Sequence, residues 1–170
     1  MKAIILAAGR GTRMSYMTDN NPKCLVELNG ISLLKRQLSV IEDIGIKNIG
    51  AITGYRSKKI EPYFKKTFFN PRWSDTQMVY SLCCASEWLK NDDCIVSYSD
   101  IFYEKSALNA LINSNSDLSI TYDPNWLNLW SKRFKNPLED AESFKIDNNG
   151  LIKEIGSKVK NIQDIQGQYM

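Results

Sequence analysis

Residues 1–14 read MKAIILAAGRGTRM, and residues 21–28 read NPKCLVEL. Ala3 to Leu6 is an unbroken apolar run, which predicts a strand buried on both faces. The run narrows to Ala7-Ala8 and breaks into Gly9-Arg10-Gly11-Thr12-Arg13. A hairpin turn needs one glycine and tolerates polar neighbours. Two glycines beside Arg10 and Arg13 make a backbone that can be approached closely, with cations next to it. That is a place suited to an anion. Residues 8–24 hold no clean period and read as a long loop.

Outward from this stretch, Leu25 to Leu28 reads as a short strand before the turn Asn29-Gly30. Ser32 to Ile44 carries apolar residues at helical spacing (Leu33, Leu34, Leu38, Ile41, Ile44), with Gly45 as its stop. Asn48 to Thr53 reads as a second buried strand, ended by Gly54-Tyr55, and Ser57 to Lys66 as a polar-faced helix. Ser74 or Asp75 can cap a helix to about Leu89, with Met78, Val79, Leu82, Ala85, Trp88 and Leu89 inward. Asp93 to Tyr98 is a third buried strand, and it ends at Ser99-Asp100. Lys105 to Asn113 reads as a helix, Leu118 to Tyr122 as a strand, and residues 124–140 as an aromatic loop. Ser143–Asp147 and Leu151–Ile155 form a hairpin about Asn148-Asn149-Gly150. Strands alternating with helices predict an α/β fold with a largely parallel central sheet. No internal repeat or linker is evident, so residues 1–170 read as one domain.

A chain of 170 residues is long enough for a real core. Its 22 Lys+Arg against 19 Asp+Glu is too even for the basic stripe that nucleic acid needs. No apolar stretch is long enough to cross a membrane, and the N-terminal one is too short for a signal peptide. Cys24, Cys83, Cys84 and Cys94 lack metal-type spacing and read as buried, reduced thiols of a cytoplasmic protein. The most informative feature is that histidine is absent. This excludes a Ser–His or Cys–His nucleophile and an imidazole zinc site. Any chemistry here falls to carboxylates, lysine, arginine or a metal such as Mg²⁺.

Ligands of open α/β sheets sit beyond the carboxyl ends of the strands. Three segments fall at such ends: Ala7 to Met14, Gly54-Tyr55 and Ser99-Asp100. Several readings compete for Gly9-x-Gly11. A Walker loop ends in Gly-Lys-Ser/Thr, whereas Gly11-Thr12-Arg13 has no lysine. A dinucleotide fingerprint wants a third glycine where Met14 stands. A nucleotidyltransferase loop would hold phosphate on the amides of Ala8 to Thr12, with Arg13 facing the departing pyrophosphate. A glycine-rich surface turn is the plain alternative. Asp100 could equally cap a following helix. Lys23 could be a solvated loop lysine, and Arg10 reads first as a surface residue. Trp126, Trp130 and Phe134 read first as packing, although such a stripe could wall a pocket for a quaternary ammonium.

AAGRGTRM followed by NPKCLVEL resembles the G-x-G-T/S-R-M…P-K signature of the nucleoside-triphosphate (sugar-phosphate) nucleotidyltransferases. TGY at 53–55 and VSYSD at 96–100 follow in that family's order. The segments SDTQMVYSL and ESFKIDNNGLIKEIGSK are most similar to the small bacterial cytidylyltransferases of the phosphocholine and phosphoglutamine type. The sugar-1-phosphate thymidylyltransferases and the molybdopterin guanylyltransferases are poorer matches. The resemblance implies a Rossmann-like, mixed but mainly parallel sheet flanked by helices, of the nucleotide-diphospho-sugar transferase type. It implies transfer of CMP from CTP to a small phosphorylated acceptor, with release of pyrophosphate, in the cytoplasm and for surface-polysaccharide modification. The alternatives are a sugar-1-phosphate enzyme using UTP or dTTP, and a nucleotide-binding module without catalysis.

By the same resemblance Lys23 reaches the α-phosphate, Arg13 faces the β- and γ-phosphates, and Asp100 holds Mg²⁺. Backbone at Leu6, Ala7, Ala8, Gly9, Gly11 and Thr12, with Gly54, frames the nucleotide. Thr76, Gln77, Ser81 and Ser99 add polar contacts. Neither nucleic acid nor membrane is an implied partner. A homodimer through Trp73, Trp88 and the aromatics of residues 126–134 is open. Family members run longer than this chain and carry a second metal-binding carboxylate. The chain stops in Gln166–Met170, mid-strand by its pattern, so the expectation is a domain incomplete at its C-terminus.

Overall fold

The apolar run that opens the chain is the centre of a sheet. The computed structural model describes residues 1–169, apart from the side chains of Arg13 and Ser15. The described chain forms two compact units, Met1–Asn113 and the remainder from Ser114 on. In the first, β1 (Lys2–Ala7) leads through a small hairpin, β2 (Glu27–Leu28) and β3 (Ile31–Ser32), into α1 (Leu33–Asp43). Then come β4 (Ile49–Thr53), the single turn α2 (Ser57–Ile60) and β5 (Lys66–Phe69). Two short helices, α3 (Met78–Cys83) and α4 (Ser86–Leu89), precede β6 (Cys94–Tyr98) and α5 (Lys105–Ile112). The strand order is β5-β4-β1-β6, and all three pairings are parallel.

Alternation along β1 builds two apolar layers. Ala3, Ile5 and Ala7 pack with Leu34 and Ile41 of α1 and Leu108 of α5. Ile4 and Ala8 pack on the opposite face with Ile52, Phe68, Ala85 and Trp88. Ile4 and Ile5 are fully buried, which stabilises by about 1.5–3 kcal/mol per side chain. α1 begins where the Ser32 hydroxyl accepts the Lys35 N–H at 3.3 Å, and it stops at Gly45, whose φ is 87°.

Local pattern misjudges several elements. The helix expected over Ser57 to Lys66 lasts one turn, because Pro62 has no N–H to donate, and KTFF at 66–69 becomes an edge strand. The helix expected to Leu89 breaks at Cys84-Ala85, and Asp75 pairs with Arg72 instead of capping it. Met78, Val79 and Leu89 are exposed rather than inward, whereas Ala85 and Trp88 are buried. β6 is the other edge strand, and its Val96 is exposed. Of the four free cysteines only Cys24 is buried, and Cys83 is exposed. Trp88 belongs to the core and Trp73 packs against it, so neither is a free interface residue.

The second unit pairs β7 (Tyr122–Asp123) with β10 (Gln168–Tyr169), and β8 (Glu142–Ile146) with β9 (Ile152–Lys158). Leu118 to Tyr122 is therefore strand only at its end. Residues 124–140 contain a helix, α6 (Trp126–Arg133), whose Trp126 is buried with Ala141 and Ile165. Among the described residues no helix is long and apolar enough to cross a membrane.

Candidate functional site

From β1 the chain moves to β4 and β5 on one side, then returns to β6 on the other side of β1. The strand order reverses between β1 and β6, and the crevice beyond their carboxyl ends is where such sheets take ligands. Leu6 pairs with Tyr98 at that end. The glycine loop continues from one strand, and Ser99-Asp100 from the other.

The loop is held from behind by β4. The Tyr55 N–H donates to the Ala8 carbonyl at 2.8 Å. The Tyr55 hydroxyl reaches the Thr18 and Asp19 carbonyls at 2.9 and 2.5 Å. Gly54 has no room for a side chain: a Cβ there would lie 2.4 Å from Trp73 Cβ and 2.7 Å from the Ala8 oxygen. Gly11 is left-handed (φ 73°), which favours glycine, and a Cβ there would meet the Lys23 stem at 3.0 Å. It opens a 3-10 helix, Thr12–Thr18, within the expected loop. By contrast, among the described residues nothing lies within 4 Å of where a Gly9 Cβ would stand. That space is open to a ligand. Arg10 pairs with Asp19 at 2.6 Å and braces the loop.

Lys23 lies on a short 3-10 turn after Pro22, over the buried Cys24. Its ammonium pairs with the Asp100 carboxylate, and the two side chains are 27% and 32% exposed. Both charges are thus held in place yet remain reachable. Asp100 is not a helix cap, since α5 starts at Lys105 with Glu104 at its N-cap. Burial pushes the Cys24 thiol up to about 12, and the negative charge of Asp100 adds to the rise. That thiol stays protonated and is not a nucleophile. The Gln37 amide, buried in α1, donates to the carbonyls of Tyr98 and Ile101, on either side of Asp100.

Of the other expected site residues, Leu6 and Ala7 end β1 and Ala8 follows it, with Ala7 and Ala8 buried. Thr12 is exposed and Ser99 half-buried at the crevice. The Arg13 side chain lies outside the described residues. Thr76 and Ser81 come together, but on Asn70: its Nδ2 donates to their hydroxyls at 3.1 and 2.9 Å. Gln77 stands exposed at the N-cap of α3, while Ser81, one turn on, is buried. The hydrogen bonds made by Asn70, Tyr55 and Gln37 leave no trace in the spacing of the site motifs. Gln37 had a signal: a polar residue between Leu34 and Ile41 on the apolar face of α1.

The parallel sheet, with its switch-point crevice, glycine loop and lysine–carboxylate pair, has the nucleotide-diphospho-sugar transferase fold of solved nucleotidyltransferases. The chain belongs to the MobA-like NTP transferase domain family, whose model matches residues 3–147. It is 37% identical to the CTP:phosphoglutamine cytidylyltransferase of Campylobacter jejuni, over 100% of this chain and 71% of that protein. It is 39% identical to the choline-phosphate cytidylyltransferase of Streptococcus pneumoniae, over 60% of this chain and 46% of that protein. The solved structure of CTP:phosphocholine cytidylyltransferase from Streptococcus pneumoniae superposes with a TM-score of 0.66 at 22% identity. That superposition covers 99% of this chain and 65% of the other, just under two thirds of its length.

Proposed function

We propose that the chain transfers CMP from CTP to the phosphate of a small phosphorylated acceptor and releases pyrophosphate. The observation that carries this reading is the Lys23–Asp100 pair at the ends of β1 and β6, beside an open glycine loop. A phosphate monoester is largely dianionic near neutrality, its second pKa being about 6. Its oxygen attacks the α-phosphorus. A new O–P bond forms, the bond to the bridging oxygen breaks, and pyrophosphate leaves with the electron pair. No side-chain base is required, in keeping with a chain that has no histidine. The protein contributes alignment and charge. Lys23 offers its ammonium to the α-phosphate, and Arg13 pairs as a fork with the β- and γ-phosphates. The amides from Ala8 to Thr12 donate to phosphate oxygens.

Among the described residues no three Asp, Glu, Cys or His side chains gather. Mg²⁺ is commonly held by one or two carboxylates together with substrate phosphates and water, and the partly exposed Asp100 carboxylate fits that role. Asp100 would be the carboxylate that holds it. When bound, Mg²⁺ neutralises charge on the phosphates.

The likeness to the phosphoglutamine enzyme covers the whole chain, and that to the choline-phosphate enzyme 60% of it. This supports an amide-bearing acceptor of the phosphoglutamine kind. The aromatic stripe agrees. Trp126 is buried, and the Arg133 guanidinium lies over Trp130 and Phe134 at 5.3 and 5.2 Å, so those faces already hold a cation. The reaction belongs in the cytoplasm, where CTP is made, and serves surface-polysaccharide modification. Calorimetry with CTP, UTP, dTTP and GTP plus Mg²⁺, on this chain and on Lys23→Ala, tests the reading. CTP should bind at least about tenfold tighter than the others, and Lys23→Ala should weaken it about tenfold or more. Equal binding of all four, or an unchanged Lys23→Ala, overturns it.

A further inference from the structure

We propose that Gln37 is a positioning residue for the transfer reaction: its buried amide ties the carbonyls flanking Asp100, and so sets where the Asp100 carboxylate meets Lys23. The inference rests on the cytidylyltransferase reading for its consequence, but its local claim concerns this chain alone. Gln37 is 1% exposed, between the fully buried Leu34 and Ile41. An amide in such a place costs several kcal/mol unless its groups are bonded, and an apolar residue would pack there without that cost.

The amide is used in a one-sided way. Its two N–H groups donate to two carbonyls, Tyr98 at 2.7 Å and Ile101. Its Oε1 has no partner among the described atoms. What the position demands is a pair of donors. Tyr98 is the last residue of β6, where the ladder with β1 ends and carbonyls lose their strand partners. Asp100 is one residue from Ile101 and two from Tyr98.

A second prop stands beside the first. The Tyr103 hydroxyl donates to Ser97 Oγ at 3.1 Å, and Ser97 Oγ donates to the same Tyr98 carbonyl at 3.1 Å. Burial raises the pKa of Tyr103, against the effect of its bond to Ser97, so the hydroxyl keeps its proton to donate. The turn is thus fastened at residues 98, 101 and 103, and Asp100 projects from it to Lys23. A buried network that ends on a partly exposed ion pair is the arrangement that holds a reacting group in place.

The test compares Gln37→Glu, which keeps the shape and offers at most the one O–H of a protonated carboxyl in place of two donors, and Gln37→Met, which fills the space with apolar atoms. Ile41→Val is the control for simple core weakening. The first readout needs no nucleotide: the NMR signal of the Lys23 ammonium, assigned with Lys23→Arg. In both Gln37 variants it should shift toward its value in Asp100→Asn, and in Ile41→Val it should stay. The second readout is turnover with CTP and Mg²⁺. kcat should fall about 10- to 100-fold in both variants, with KM for CTP within about threefold. A folded Gln37→Met with the wild-type Lys23 signal and wild-type kcat overturns the inference. A wild-type chain that neither binds nor turns over CTP sinks the cytidylyltransferase reading instead, and the Lys23 signal then decides the local claim. Should both variants unfold, Tyr103→Phe removes the second prop alone. A smaller shift of the same sign supports the inference, and no shift overturns it.

Discussion

Of the lysine–aspartate pairs among the described residues, two, Lys23–Asp100 and Lys145–Asp164, one in each unit, differ in what lies behind them. Lys23 and Asp100 are 77 residues apart in the chain. Lys145 and Asp164 are 19 apart and meet at 2.8 Å. Both pairs are partly exposed, at 27% and 32% for the first and 37% and 38% for the second. Pairs so open to water add little to stability. The first, however, has a left-handed glycine packed under the Lys23 stem and a buried amide tied on both sides of Asp100. Beside the second, among the described residues, stands a further partly exposed carboxylate, Glu154, at 3.6 Å from Lys145. A charge pair alone says little about function. Buried groups that exist to place it say more.

The strongest way to break the comparison is Asp100→Asn. It keeps the shape of the side chain and removes the charge. Transfer should fall about 10³-fold, since a site built on charge loses one of its poles. The melting temperature should move by no more than about 2–4 °C, because the pair contributes at most about 1 kcal/mol. Steady-state turnover and a thermal melt on the same preparation decide it. A large fall in melting temperature with turnover near wild type would make this pair structural, like the other.

A smaller effect comes from disturbing the frame while leaving both charges alone. Gly54→Ala drives a methyl into Trp73 and the Ala8 carbonyl, neither of which can give way freely. The expected loss is about 2–3 kcal/mol, or roughly 5–10 °C in melting temperature. CTP binding should weaken as well, because the Ala8–Tyr55 link carries the glycine loop. Denaturant melts with calorimetry check both parts. Binding that survives intact in a folded variant would show that the loop does not depend on β4.

What was legible in the sequence was local or came in one piece. The run from Ala3 to Leu6 read correctly as a central buried strand, and α1 could be placed from its spacing, Ser32 and Gly45. Lys23 and Asp100 were singled out through family resemblance, and the fold brings them into contact. The bonds that hold them were not legible. Gln37 reaches carbonyls 61 and 64 residues away, and no periodicity reports on that. Thr76 and Ser81 looked like ligand contacts because nothing in their neighbourhood revealed Asn70, buried at the end of β5. β5 itself was hidden behind Pro62, in a stretch whose lysines suit a helix surface as well as an edge strand.

The smallest expected effect lies at the second pair, and there pH is the sharper tool. The hydrogen bond to Asp164 chiefly raises the pKa of Lys145 above its ordinary 10.5, and the charges of Asp164 and Glu154 add to it. A lysine whose pKa is higher folded than unfolded stabilises fully below the unfolded value. That stabilisation is lost as pH rises through the folded value. Lys145→Met should therefore lower the melting temperature slightly near pH 7 and by nothing measurable once the pH is above the raised folded value. CTP affinity should be unchanged at either pH, because the charges proposed to meet the nucleotide are those of Lys23, Arg13 and Asp100. Paired thermal melts at the two pH values, with one calorimetric titration at pH 7, give the result. A tenfold loss of CTP affinity in Lys145→Met would mean that placement by buried groups does not separate the functional pair from the structural one.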